Sequence, residues 1–582
     1  MYPLGPFVIH CSLFTVHYSN PMEHFIFGTL STRELRVERE LSMRSGVWHG
    51  SQLQPPMPRP NEAPTAFVTV KSSAAVRRLA IQIVEPIEAL VELTLAETKW
   101  DLIDWRYYQV WSAELPPQPA GTLVRYAVQG ELVTAETISA EIVSAEKPIF
   151  AYLVGDPSPP AWAESAIVYQ VFPDRFAADP GRTLPDYADP NRIFGGTLRG
   201  ITSRLDYIAD LGFNAIWLNP FFPDHTHHGY HARDYMSVNP RLGTLDDLRD
   251  LRDEAKKRNI RLIIDFVANH WGSAHPTFQD AVTNRDSEYH DWYIWRNWPE
   301  EYETFFGVDD LPQVNTDHPP ARDYLLNAAR YWAEFGFDGF RLDYAVGPTL
   351  AFWSAFRHAV RSANPDAWIF GEVVEGPDSQ VRYIGRFDGG IDFLLAQAMR
   401  SAFAFESQSL IEFDQFLTQH EAWMPANFSR PSFFDNHDMD RFLFLVDGDV
   451  RKLKLAAACQ LTLQGQPVLY YGTEVGVTQR HIMHHPDSFG MAEARRPMRW
   501  GDAQDADLHA YFRWLIHLRR DNPVLCSGQR ETLFVDADCL AYRRFDAQHE
   551  VIVVLNRGEA ARTLNVGGKV VEVGGVSAEI IV

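Results

Sequence analysis

Cysteine is scarce. The four thiols among 582 residues, Cys11, Cys459, Cys526 and Cys539, show no C-x-x-C spacing, so neither a zinc cage nor a disulfide framework is indicated. A reducing, cytoplasmic setting is the expectation, with a Cys526 to Cys539 bridge left open. No apolar run approaches the roughly 18 residues of a membrane span, and the start, MYPLGPFVIHCSLF, has no basic stretch before its mildly apolar part. Positive charge is also short. With 53 Lys+Arg against 76 Asp+Glu the net charge is −23, which repels phosphate backbones and anionic lipid and argues for no nucleic acid and no membrane as partner. The chain has no G-x-S-x-G elbow for a serine nucleophile, no internal repeat and no low-complexity tract.

What the chain does have is apolar mass. Hydrophobic residues make up 46% and charged residues 22%, close to globular averages, in a length that exceeds one ordinary domain. Two or three domains and a neutral ligand are expected.

Residues 1–155 alternate in short runs such as AFVTVKS, LAIQIVE, ALVELTLAET, RYYQVWSAEL, TLVRYAVQG and ELVTAETISAEIV, the pattern of an N-terminal β-sandwich. A Pro-rich joint, GDPSPPAW, leads into residues 160–524, where continuous apolar runs alternate with helical stretches. Eight runs, at 167–172, 215–220, 261–266, 339–344, 368–373, 391–396, 432–437 and 467–472, predict an α/β fold built on a (β/α)8 TIM barrel. An aromatic-rich insertion, about 271–318, follows the third strand and is expected over the barrel mouth. Residues 525–582 alternate again and predict a small C-terminal β-sandwich.

Polar residues interrupt the barrel runs mainly at their C-terminal ends: Asp265, Asn269 and His270 after the third, Arg341 and Asp343 on the fourth, Glu372 on the fifth, and Asn436, His437 and Asp438 on the seventh. In a barrel these ends meet on one face. Asp265 with Arg341 reads equally well as a buried structural ion pair. Asp343, Glu372 and Asp438 are harder to explain structurally, because carboxylates gathered at one mouth repel one another. Taken singly, His270 or His437 reads as a satisfied core histidine. A divalent-metal site is the alternative for the three acids, although they come singly from separate strands rather than with local ligand spacing. Paired-carboxylate acid/base chemistry, as in glycoside hydrolysis, accounts for the set without a metal.

The chain resembles the α-amylase family of glycoside hydrolases over about 160–500. The motifs occur in order: YQVFPDRF, GGTLRGITSRLDYIADLGFNAIWLNPFF, HGYHARDY, DFVANH, LPQVN, GFRLD, GEV, FFDNHD and YYGTEVG. The N-terminal sandwich and its joint to the barrel are similar to the cyclomaltodextrinase, neopullulanase and maltogenic amylase branch. The resemblance implies Asp343 as nucleophile, Glu372 as general acid/base and Asp438 as the transition-state-stabilising carboxylate of a retaining reaction. It further implies Arg341 orienting Asp343, Asp265 holding Arg341, His270 and His437 binding sugar hydroxyls, and Tyr230 stacking under the sugar. For Tyr230 alone, ordinary packing competes with that role.

Some positions depart from the family. The histidine that helps ligate calcium is missing, with Val346 and Gly347 in the segment after Asp343, so no metal ligand is assigned and no cofactor is required; calcium stays open without support from the sequence. Asn269 reads as a cation ligand or as a brace for the insertion. Val373 and Val374 stand where many relatives place Trp, and LPQVN matches neither the form typical of the cyclodextrin-degrading branch nor that of the α-1,6 enzymes.

The expectation is an intracellular hydrolase of α-1,4 bonds in cyclomaltodextrins, maltodextrins or related α-glucan oligosaccharides, with transglycosylation accessible to the same intermediate. The alternatives are a transglycosylase or a sucrose- or trehalose-converting enzyme, and more distantly a non-catalytic binding protein on the same barrel. The N-terminal domain is a candidate for glucan binding or homodimer formation, with Trp100, Trp105 and Trp111 either serving that surface or, for several of them, filling the core.

Overall fold

The computed structural model describes residues 46–71, 76–132, 137–139 and 149–582. The opening segment with Cys11 and most of ELVTAETISAEIV lie outside the described residues. Among the described residues no helix is long and apolar enough to cross a membrane.

Two antiparallel sheets precede the barrel. One orders Val47–Trp48, Thr65–Val70, Arg106–Glu114 and Thr94–Asp101, with Leu53–Gln54 also paired to Thr65–Val70. The other orders Phe150–Leu153, Leu123–Leu132, Val76–Glu85 and Ala89–Glu92, with Thr137–Ser139 on Leu123–Leu132. Alternation sets the faces: Ala66, Val68 and Val70 point inward and meet Ile81, Ile83, Val124 and Tyr126 in one core. The run 89–98, expected as one strand, breaks at buried Leu93, so its two halves pair in different sheets. Two of the tryptophans are not core, Trp105 being 75% and Trp100 42% exposed, whereas Trp111 is half-buried and packs against the core.

The barrel strands are β1 (Val168–Val171), β2 (Ala215–Leu218), β3 (Arg261–Val267), β4 (Gly339–Asp343), β5 (Trp368–Gly371), β6 (Gly389–Gly390), β7 (Pro431–Ser432) and β8 (Gln466–Tyr470). All pair in parallel, in the order β6-β5-β4-β3-β2-β1-β8-β7. The gap between β6 and β7 is spanned by backbone bonds from Gly390 N–H to Ser429 O (3.1 Å) and Asp392 N–H to Pro431 O (2.9 Å), so the barrel is nearly closed.

The sixth strand is displaced from its expected place at 391–396. There Asp392 accepts the N–H of Leu395 and caps a helix, Phe393–Met399. A short apolar run suits strand or helix equally, and the cap decides. The actual strand is a glycine pair, of which Gly389 is required because a Cβ there would sit 2.0 Å from Ser429 Oγ. β7 likewise ends early, and residues 433–438 leave the sheet to cross the mouth.

The insertion holds the helix Pro276–Thr283, the hairpin Trp295–Asn297 with Glu301–Tyr302, and an aromatic core of Trp271, Phe278, Trp292 and Tyr293. Its turn Phe305–Gly307 reaches the strand ends, with the Phe305 ring 4.4 Å from His270 and 4.9 Å from Tyr344. At the C-terminus a four-stranded antiparallel sheet and a two-stranded ribbon enclose a separate small core. Cys459, Cys526 and Cys539 are free and buried, so the Cys526 to Cys539 bridge does not form.

Candidate active site

Parallel register determines which side chains meet. β3 and β4 align Asp265 with Arg341 and Val267 with Asp343, and β4 and β5 align Leu342 with Gly371, which puts Glu372 one step beyond the sheet. Asp265 and Arg341 are therefore cross-strand neighbours, and Arg341 and Asp343, two residues apart, share a face.

The Arg341 guanidinium is the hub. Its Nη1 donates to Asp265 Oδ1 (2.8 Å) and to Asp343 Oδ1 (2.7 Å), while Nη2 makes an ion-pair contact with Glu372 Oε1 at 2.9 Å. One cation serves three carboxylates, and all four side chains are buried. The Trp217 indole N–H closes the floor on Asp265 Oδ2 (2.9 Å).

Asp438 enters from the other side. His437 Nε2 lies 3.0 Å from its Oδ2, and Arg495 Nη2 donates to its Oδ1 at 2.8 Å. The Gln170 amide donates to His437 Nδ1 (2.8 Å), which assigns the imidazole proton to Nε2, facing Asp438 and the Tyr230 hydroxyl. Tyr230 in turn donates to Asp265 Oδ2 (3.0 Å) and accepts from Asn219 (2.9 Å), with its ring stacked on His437 at 5.6 Å between centroids. Asp265, Tyr230, Arg341, Asp343, Glu372, His437 and Asp438 thus form one connected network.

His270 stands apart. It is buried under Phe305, takes a 3.2 Å contact from Asn269 Nδ2, and no hydrogen bond joins it to the Arg341 hub among the described residues. Burial lowers its pKa to about 3, so the ring is neutral. Asn269 braces the insertion through its backbone, its carbonyl accepting the Val314 N–H at 2.9 Å. Its side-chain oxygen is buried without a hydrogen-bond partner and faces the Cα of Gly347, where a Cβ would lie 2.0 Å away.

The charges are uneven. Burial pushes the Glu372 carboxyl above its ordinary value; Arg341 opposes the shift and Asp438 adds to it. Burial also raises Asp343 strongly, against the pull of Arg341 and with the push of Glu372 and Asp265. Asp438 is held below the ordinary range: burial would raise it, but His437 and Arg495 outweigh that. Immediately after Asp343, Tyr344 adopts φ 40°, a left-handed conformation costly for an aromatic residue by about 1–3 kcal/mol. In that conformation its N–H donates to Glu372 Oε2 at 3.0 Å.

Several members of this network lay beyond the sequence reading. Gln170 and Asn219 are buried polar residues in the apolar β1 and just after β2, a signal of the same kind that marked Asp265. Arg495 lies after β8 in irregular chain and had no such signal. Arg495 also borders a cleft of about 800 Å3, with His227, His228, Phe489 and Met491 among its walls.

Comparison with known proteins adds independent findings. Residues 170–522 match the family model described as the catalytic domain of alpha amylase. The chain is 32% identical over 550 residues, 93% of its length and 94% of the relative's, to alpha-amylase 2 of Dictyoglomus thermophilum. It is 38% identical over 429 residues, 70% of its length and 75% of the relative's, to a cyclomaltodextrinase of a Bacillus species. Among solved structures, the cyclic α-maltosyl-(1→6)-maltose hydrolase of Arthrobacter globiformis superposes with a TM-score of 0.68 at 31% identity, over 73% of this chain and 99% of that one.

Proposed function

The chain belongs to the α-amylase family of glycoside hydrolases, and from that premise we propose that it cleaves α-1,4-glucosidic bonds of cyclomaltodextrins and short maltodextrins through a covalent glycosyl-enzyme. The observation that carries the reading is the single guanidinium shared by Asp343 and Glu372, with Asp438 separately held by His437 and paired with Arg495.

Two buried carboxylates beside one arginine titrate as a pair, and burial favours the protonated form of each. Arg341 gives its hydrogen bond to Asp343 and only a contact to Glu372. Burial raises both carboxyls, Asp343 the more strongly, so the pair shares the proton. In the reacting complex the Arg341 hydrogen bond favours ionised Asp343 and leaves the proton to Glu372, which donates it to the glycosidic oxygen as the C–O bond breaks. Asp343 attacks the anomeric carbon and forms the ester. Glu372, now ionised, takes a proton from water or from a sugar hydroxyl, whose oxygen displaces Asp343. Water gives hydrolysis and a sugar gives transfer. Asp438 stays ionised and stabilises the cationic transition state, with His437 and His270 as donors to sugar hydroxyls and the partly exposed Tyr230 as the platform beneath the ring. These steps use side chains of this chain throughout, and the reaction so written requires no cofactor.

The cleft of about 800 Å3 beside Arg495 has room for an oligosaccharide. The relatives named cyclomaltodextrinase and the hydrolase of a cyclic tetrasaccharide support cyclic substrates. The proposal places the enzyme in the cytoplasm and takes the exposed Trp100, Trp105 and Tyr107 of the N-terminal hairpin as its homodimer contact. Product analysis on β-cyclodextrin, maltotriose, pullulan and sucrose tests the function. Maltose and glucose from the first two support it, whereas turnover of sucrose alone contradicts it.

A further inference from the structure

The loop after β2 reads DHTHHGYH, and its histidines are more numerous than sugar binding requires. Three of its side chains converge away from the Arg341 hub. Asp224, His225 and His231 each offer one ligand atom, and these atoms all lie within 4.8 Å of one another. His225 Nδ1 stands 3.5 Å from Asp224 Oδ1. Donor atoms of a tetrahedral ion with bonds of about 2.0–2.1 Å lie roughly 3.3–3.4 Å apart, so the Asp224–His225 pair already has that spacing and the separations to His231 must close by at most about 1.5 Å.

A second observation concerns orientation. Asp310, from the insertion, holds His231 Nδ1 at 3.0 Å and stands 3.6 Å from His225 Nε2. A carboxylate on one imidazole nitrogen leaves the other nitrogen as a lone-pair donor, the usual support for a metal-binding histidine. Asp310 is itself fixed by the Ser273 hydroxyl. Asp224 is fixed by the Thr226 N–H on Oδ1 (2.7 Å) and by the Thr226 hydroxyl (2.6 Å) and the His231 N–H (3.0 Å) on Oδ2, which leaves a lone pair on Oδ1, the oxygen that faces His225. Asp224 is buried and His225 half-exposed, so the site combines a rigid base with an open approach.

We propose that Asp224, His225 and His231 bind a divalent transition-metal ion, with Asp310 orienting the His231 imidazole. Two nitrogen donors and one carboxylate select zinc, nickel or cobalt over calcium, which takes oxygen ligands. The ion takes no part in glycosidic cleavage. It ties the loop that carries Tyr230 to the insertion that covers His270, and so secures one wall of the substrate site.

The test uses the full-length protein without a histidine tag, stripped with EDTA, dialysed, and titrated with Zn2+ against a chromogenic chelator and with Co2+ alone. One equivalent of Zn2+ is expected, with a visible Co2+ absorption band of low coordination number and a rise in the thermal midpoint of about 2–4 °C at saturation. Affinity should fall at least about 10- to 100-fold in His225→Gln and in His231→Gln, and by a similar factor in Asp310→Asn. It should be unchanged in His485→Gln, which alters the separate histidine pair His481 and His485. Because His225 is half-exposed, its variant keeps the fold testable. Absence of binding by the unmodified protein, survival of the equivalent in His225→Gln combined with His231→Gln, or its loss in His485→Gln would each overturn the proposal.

Discussion

Two buried ion clusters lie on the same barrel and are built in opposite proportions. Next to the start of β6, Asp388 is one carboxylate among many donors. Arg357 and Arg361 both pair with it, the latter at 2.9 and 3.0 Å, and the Ile369 N–H donates to it at 2.8 Å. At the other ends of the strands, Arg341 is one guanidinium among three carboxylates, with Nε left without a hydrogen bond. The first cluster leaves no carboxylate without a cation and joins helix Leu350–Ala363 to the sheet. The second carries excess negative charge that a stable core would avoid, and burial there raises both Asp343 and Glu372. A carboxylate with cations to spare marks support, and carboxylates crowded on one cation mark chemistry.

The sharpest way to break this contrast is Asp343→Asn. Glucan cleavage should fall by at least about 10⁴-fold while the thermal midpoint holds or rises, since one like charge has left a crowded site. Steady-state rates and calorimetry on one preparation check both halves. Glu372→Gln comes next, with a loss of about 10²–10⁴-fold on glucans and a much smaller loss on α-maltosyl fluoride, whose leaving group needs no proton. Because burial raises this carboxyl, the basic limb of kcat/KM in the parent enzyme should fall at a pH above the ordinary glutamate range. Loss of that limb in Glu372→Gln with the fluoride identifies its owner.

Asp388→Asn should reverse the pattern, costing about 3–5 kcal/mol of stability while leaving the rate per folded molecule within about twofold. Urea unfolding followed by active-site titration separates the two quantities. The smallest effect belongs to Arg495→Gln, about tenfold in kcat, with a directional signature in stability. Asp438 is held below its unfolded value, so the stability it contributes is present above that value and lost as pH falls through the folded one. Removing Arg495 raises the folded value, and acid unfolding should begin at a higher pH.

The contrast also explains what the sequence made legible. Asp265, Arg341 and Asp343 stood out because charges inside apolar runs are conspicuous, and the parallel register then brings them together. Asp388 sits just before two glycines in a run with little hydrophobic periodicity, so neither the cluster nor the true sixth strand had a pattern to reveal it. Arg495 meets Asp438 from chain 57 residues further on, in irregular structure, where no periodicity links the two. The exposure of Trp100 and Trp105 was hidden for a different reason: aromatic residues on a hairpin look the same in sequence whether they face core or solvent.

The central claim is that Asp343 carries the glycosyl group while Glu372 manages the proton. Glu372→Gln should accumulate the intermediate from α-maltosyl fluoride, and mass spectrometry of the acid-quenched, digested protein reads it directly. The account predicts one maltosyl unit esterified within the peptide GFRLD, at Asp343. A label on any other residue, or turnover of the fluoride with inverted β-maltose and no label, would contradict it.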